Sequence, residues 1–111
     1  MSLSELPGVD IEYGLTIWKN PKHYRDCLLV FVKNYTDCVS EMNQMDDTNA
    51  SAIAHKLKGS AGNLAIVDVA KTASELEHAL RSGDNPADLY IRLQAALDTA
   101  LASITKFTAV N

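Results

Sequence analysis

Apolar residues recur at intervals of three and four along most of this 111-residue chain, in stretches separated by short polar breaks. Between residues 20 and 45, Tyr24, Cys27, Leu28, Phe31, Tyr35, Cys38, Val39 and Met42 fall on one side of a wheel that advances about 100° per residue. A strand would alternate instead, so this stretch predicts one long helix. Asn20 supplies its N-cap, Pro21 its first turn, and Asp46-Asp47-Thr48-Asn49 its stop. Ala50, Ile53, Ala54, Leu57, Ala61 and Leu64 predict a second helix over 47–64. Val69, Ala73, Leu76 and Leu80 predict a third, which ends at Ser82-Gly83-Asp84, where the glycine suits a left-handed cap. Asn85-Pro86 opens a fourth with the stripe Leu89, Leu93, Leu97, Leu101 and Ile104. Ahead of these, Leu6-Pro7-Gly8 reads as an extended lead-in and Asp10 as the cap of a short helix from Ile11 to Trp18. Connections of a few residues favour antiparallel neighbours. The expected fold is all-α: one domain over 1–111, an antiparallel up-down-up-down four-helix bundle with a short N-terminal helix packed on it.

Composition agrees, with fourteen Ala and thirteen Leu against seven aromatics and seven Val. A chain of this length can bury a core without metal or disulfide staples. Its net charge of −4 argues against nucleic acid or an anionic membrane as partner. No apolar run approaches the ~18 residues of a spanning helix, so the expectation is a cytoplasmic domain, monomeric in isolation. Met1-Ser2-Leu3 reads as a remnant of expression on a piece of a longer protein, with residues 1–5 expected to lack order. Cys27 and Cys38 stand roughly 16 Å apart on the predicted helix, too far for a disulfide, and read as buried or half-buried free thiols.

One stretch breaks the helical logic. His55-Lys56-Leu57-Lys58-Gly59-Ser60-Ala61-Gly62 places two glycines inside a helix, each costing about 1 kcal/mol relative to alanine. With the apolar stripe at zero, Ser51 lies at roughly 100°, Gly62 at about 120°, His55 at about 140°, Gly59 at about 180° and Ala52 at about 200°. The imidazole therefore points outward among small residues that let another molecule's backbone approach. Lys56 and Lys58 give residues 50–66 a local charge of +2, against −6 for the rest of the chain.

The ordinary readings are a solvated histidine and glycines that serve helix packing. Their coincidence on one outward face weighs against both. A phosphate-cradling loop fails, because the lysine does not follow the second glycine and no strand precedes it. His23, His55 and His78 lack metal-site spacing, so no metal is expected. Glu12, Glu41, Glu75 and Glu77 read as solvated surface, and Glu75-x-x-His78 occurs once where a di-iron bundle needs the motif twice. Tyr13, Trp18 and Tyr24 read as core closing against the short first helix.

At His55, Leu57, Lys58, Gly59, Ser60 and Ala61 the chain resembles the histidine-containing phosphotransfer domains of bacterial phosphorelays, whose motif runs His-x-Leu-Lys-Gly-Ser/Ala-Ala/Ser. The likeness extends to Leu6-Pro7-Gly8-Val9-Asp10 and to Ser74 through Leu80, followed by Gly83-Asp84. It departs at Ala65, where the family commonly has glycine. The resemblance implies that His55 takes a phosphoryl group on Nε2 from the aspartyl phosphate of a receiver domain and passes it to a response-regulator aspartate. It further implies that Lys58 stabilises the phosphoryl group, and that Ser51, Ala52, Lys56, Gly59 and Gly62 meet the receiver. The domain would need no cofactor, since the receiver brings Mg²⁺. It would not be an enzyme with its own ATP site, and would either stand free or form the cytoplasmic C-terminal segment of a hybrid sensor kinase of the inner membrane. The alternative is a helical module that binds receivers without being phosphorylated.

Overall fold

The structure is a computed structural model that describes residues 6–110; the expectation for residues 1–5 falls outside them. Its helices are α1 (Ile11–Ile17), α2 (Pro21–Tyr35), α3 (Cys38–Met42), α4 (Asp47–Asn63), α5 (Val67–Ser82) and α6 (Ala87–Val110). No strand occurs among the described residues. Together α2 and α3 form the first member of a bundle whose others are α4, α5 and α6, while α1 packs on its end. The molecule measures 41 × 21 × 20 Å.

Local chemistry accounts for the boundaries. The side chain of Asp10 accepts from the Tyr13 amide, that of Asn20 from Lys22 and His23, that of Asp46 from Asn49, and that of Asn85 from Ala87. Gly83 closes α5 at φ 76°, and the Asp84 amide reaches back to the Ala79 carbonyl. The predicted stripes converge on a core that includes Leu28, Phe31, Met42, Leu57, Leu76, Leu93, Leu97 and Ile104, each fully buried. Small core residues on the facing stripes, Ala50, Ala54 and Ala61 on α4 and Ala73 on α5, accompany the closest helix pairing in the fold.

Three expectations need correction. The helix expected from 20 to 45 is broken at Thr36-Asp37. There the Thr36 hydroxyl bonds back to the Val32 carbonyl, a contact that bends helices. Gly8 adopts φ 84°, so the lead-in turns rather than extends, and Ser103 Oγ donates to the Pro7 carbonyl. Tyr13 is 56% exposed and takes no part in the core. Cys38 is buried and Cys27 half-buried, both as free thiols. Burial, with Glu41 nearby, pushes the Cys38 thiol up to about 11.

Candidate functional site

The last carbonyls of an α-helix have no partner within the helix. In α4 they are met from the far N-terminal part of the chain. Trp18 Nε1 donates to the Asn63 carbonyl at 2.8 Å, Tyr24 Oη to Leu64 at 2.7 Å, and the Asp10 amide to Ala65 at 2.8 Å. Within the helix end, the Ile66 amide bonds the Ala61 carbonyl and the Ala65 amide that of Gly62, the paired bonds of a Schellman turn. Ala65 takes the left-handed position of this turn, φ 59°, in which a Cβ is disfavoured. The departure from glycine is therefore absorbed with the turn intact. These contacts hold one end of the helix that carries His55.

Midway along α4 the His55 side chain is 61% exposed. Ala52, Lys56, Gly59 and Gly62 are also exposed, and an added Cβ at either glycine would meet nothing within 4 Å. Packing within the molecule therefore gives no reason for glycine at these two positions. Ser51, expected on this face, is 7% exposed and donates to the Thr48 carbonyl. It lines a groove with Asp47, Thr48, Ala52, Leu80 and Arg81, because α5 covers a wider arc of α4 than the apolar stripe alone suggests.

The residue that sequence reasoning missed is Glu77. Expected on the surface, it is 5% exposed and sits on α5 directly behind His55. Its Oε2 lies 2.9 Å from His55 Nδ1 and 2.8 Å from the Arg81 guanidinium, and its Oε1 lies 3.1 Å from Lys58 Nζ. Burial works to raise the Glu77 pKa, but the hydrogen bonds from Lys58 and His55 and the charge of Arg81 outweigh it and hold the carboxyl below its ordinary value. An ionised carboxylate only accepts, so in the neutral ring Nδ1 carries the proton and Nε2 is the nitrogen with a lone pair for an incoming molecule. A signal for Glu77 existed: it lies four residues after Ala73 and three before Leu80, inside the apolar stripe of α5.

An outward imidazole with its Nδ1 proton fixed, beside a lysine one turn on and a platform without side chains, is suited to nucleophilic group transfer with a second protein. A family model, Hpt domain, matches residues 26–105. The chain belongs to the Hpt domain family. No curated protein and no solved structure matches it. Hpt domains act in histidine phosphotransfer within phosphorelays, as phosphotransfer modules without an ATP site of their own, and their partners are receiver domains. The all-helical bundle with a short leading helix fits this family. Among the described residues of this Hpt domain, no helix is long and apolar enough to cross a membrane.

Proposed function

We propose that His55 is the phosphoacceptor of this Hpt domain. It takes the phosphoryl group from a receiver's aspartyl phosphate on Nε2 and delivers it to a response-regulator aspartate. The observation that carries the reading is the 2.9 Å contact between His55 Nδ1 and the buried Glu77, which leaves Nε2 of an exposed ring as the nucleophile. Near neutral pH an ordinary imidazole is largely neutral, so such a lone pair is available for in-line attack. Lys58 lies within reach of both Glu77 and the incoming group, and supplies positive charge where the phosphoryl oxygens gather. Gly59 and Gly62, with Ala52 and Lys56, form the docking platform, and Ser51 floors the adjoining groove. The chain needs no cofactor in this scheme, because the receiver brings Mg²⁺ and the acidic pocket. A place in the C-terminal part of a hybrid sensor kinase fits the scheme.

Receiver domains charged with labelled phosphate test it. Label should pass to the wild-type protein as an acid-labile adduct and should not pass to His55→Gln. Equal labelling of His55→Gln refutes the assignment, whereas receiver binding without transfer supports the non-phosphorylated binding module.

A further inference from the structure

The groove beside His55 follows the seam between α4 and α5 toward the first turn of α4, with a volume of about 510 Å³. On α4 it starts one turn before His55, at Ser51 and Ala52, and ends at Asp47. At 1.5 Å per residue Asp47 stands about 12 Å from His55 along the helix axis. Leu80 and Ala52 give the groove an apolar wall, and two of its polar groups already have partners. The Ser51 hydroxyl donates to the Thr48 carbonyl, and the Arg81 guanidinium is bonded to Glu77. Asp47 differs, being exposed and in no ion pair among the described residues. Burial, with the Asp47 charge nearby, pushes up the pKa of the Tyr90 hydroxyl on α6, as a carboxylate that no cation cancels should do.

We propose that this groove is a specificity site for the receiver: it takes one lysine or arginine side chain from the rim of the receiver's docking face, with the aliphatic stem along Leu80 and Ala52 and the charged head at Asp47. The inference rests on His55 being the phosphoacceptor, since that reading brings a receiver over this part of α4. Charge decides the sign of the incoming group. Lys58 and Arg81 exceed Glu77 by one positive charge, and a phosphoryl group on His55 brings about two negative ones, so the excess is taken up at the His55 end. At the far end Asp47 stands beside Asp46, whose oxygens accept from Asn49, and neither carboxylate meets a cation among the described residues. Shape agrees, because lysine and arginine lay their stems along apolar surface while the head reaches a polar group. The separation of about 12 Å from His55 keeps this contact off the reacting atoms, so it acts on the choice and affinity of the partner.

Transfer from a panel of receivers charged with labelled phosphate, followed over a range of receiver concentration, separates docking from chemistry. For receivers that label the wild-type chain, Asp47→Asn should raise the half-saturating concentration about three- to tenfold and Asp47→Lys by more than about tenfold, with the limiting transfer rate unchanged. Asp98→Asn makes the same charge change on α6, which lines no part of the groove, and should alter neither quantity. Among receiver variants with one surface lysine or arginine replaced by glutamate, one should be taken better by Asp47→Lys than by the wild-type chain. In the ¹⁵N-labelled wild-type chain, uncharged receiver should shift the amides of Asp47, Thr48 and Ala52, a measurement that needs no variant to fold. An unchanged half-saturating concentration in Asp47→Lys, or receiver binding that shifts Gly59 and Gly62 and none of the groove amides, overturns the inference while leaving His55 as the acceptor. Groove shifts that grow with the concentration of the chain alone give the groove to a second copy and also overturn it. Failure of the wild-type chain to take label from any receiver overturns both readings together.

Discussion

A carboxylate withdrawn from water is costly unless its partners restore what solvation supplied. Glu77 is such a group, with both oxygens engaged by Lys58, Arg81 and His55. Because its folded pKa lies below the ordinary value, the unfolded chain binds the Glu77 proton more tightly than the folded one. Stability from this group is therefore fully present above the usual glutamate range and is lost as pH falls through the folded value. Urea denaturation across acid pH should show wild-type stability declining below about pH 5 more steeply than that of Glu77→Gln. Parallel curves would mean that the three partners do not hold Glu77 charged. The motif around His55 was readable from residue types alone, since glycines on an outward helix face have few explanations. Glu77 was less so: its place between Ala73 and Leu80 in the stripe of α5 was a signal, but i,i+4 pairing with Arg81 also describes an ordinary solvated helix surface. Only the packing of α5 against α4 separates the two cases.

Helices α4 and α1 show how one substitution can change sign with location. Gly59 faces open space, so alanine there gains helix propensity and meets no neighbour. Gly14 in α1 faces the ring and hydroxyl of Tyr24, where an added Cβ collides. Tyr24 is fully buried and donates to the Leu64 carbonyl at the end of α4, so it has little freedom to retreat. Thermal denaturation should find Gly59→Ala more stable by about 1 kcal/mol and Gly14→Ala less stable by about 1–3 kcal/mol, the usual range for overpacking. Gly59→Glu should keep the fold yet slow phosphotransfer, since its side chain occupies the docking platform. A destabilised Gly59→Ala would mean that the position is packed rather than open. Helix positions were largely evident from periodicity, because each of the main helices keeps one apolar stripe. The interruption at Thr36-Asp37 was hidden for the same reason: Tyr35, Cys38, Val39 and Met42 keep their three-and-four spacing across it.

The bundle is closed by contacts between segments far apart in sequence. Leu6, Val9 and Ile11 are buried in the common core, and the lead-in is tied to α6 through Ser103 and the Pro7 carbonyl. From the same region Asp10 and Trp18 complete the end of α4, which no stripe or cap signal foretold because the donors lie 45 or more residues away. The family match begins at residue 26, so α1 precedes the shared region, yet the structure makes it part of the core. Each fully buried aliphatic side chain contributes about 1.5–3 kcal/mol relative to exposure, against a net stability on the order of 5–15 kcal/mol for a whole domain. Deleting residues 1–19 should therefore lower the melting temperature strongly. Hydrogen exchange should show the amides of Leu64, Ala65 and Ile66 losing protection first, since Asp10 and Trp18, two of the three donors that hold this turn, are gone and Tyr24 alone remains. His55, Lys58, Glu77 and Arg81 all come from α4 and α5. At temperatures where the truncated chain remains folded, phosphotransfer should thus survive, and an unchanged melting temperature would show that the lead-in is carried by the bundle without supporting it.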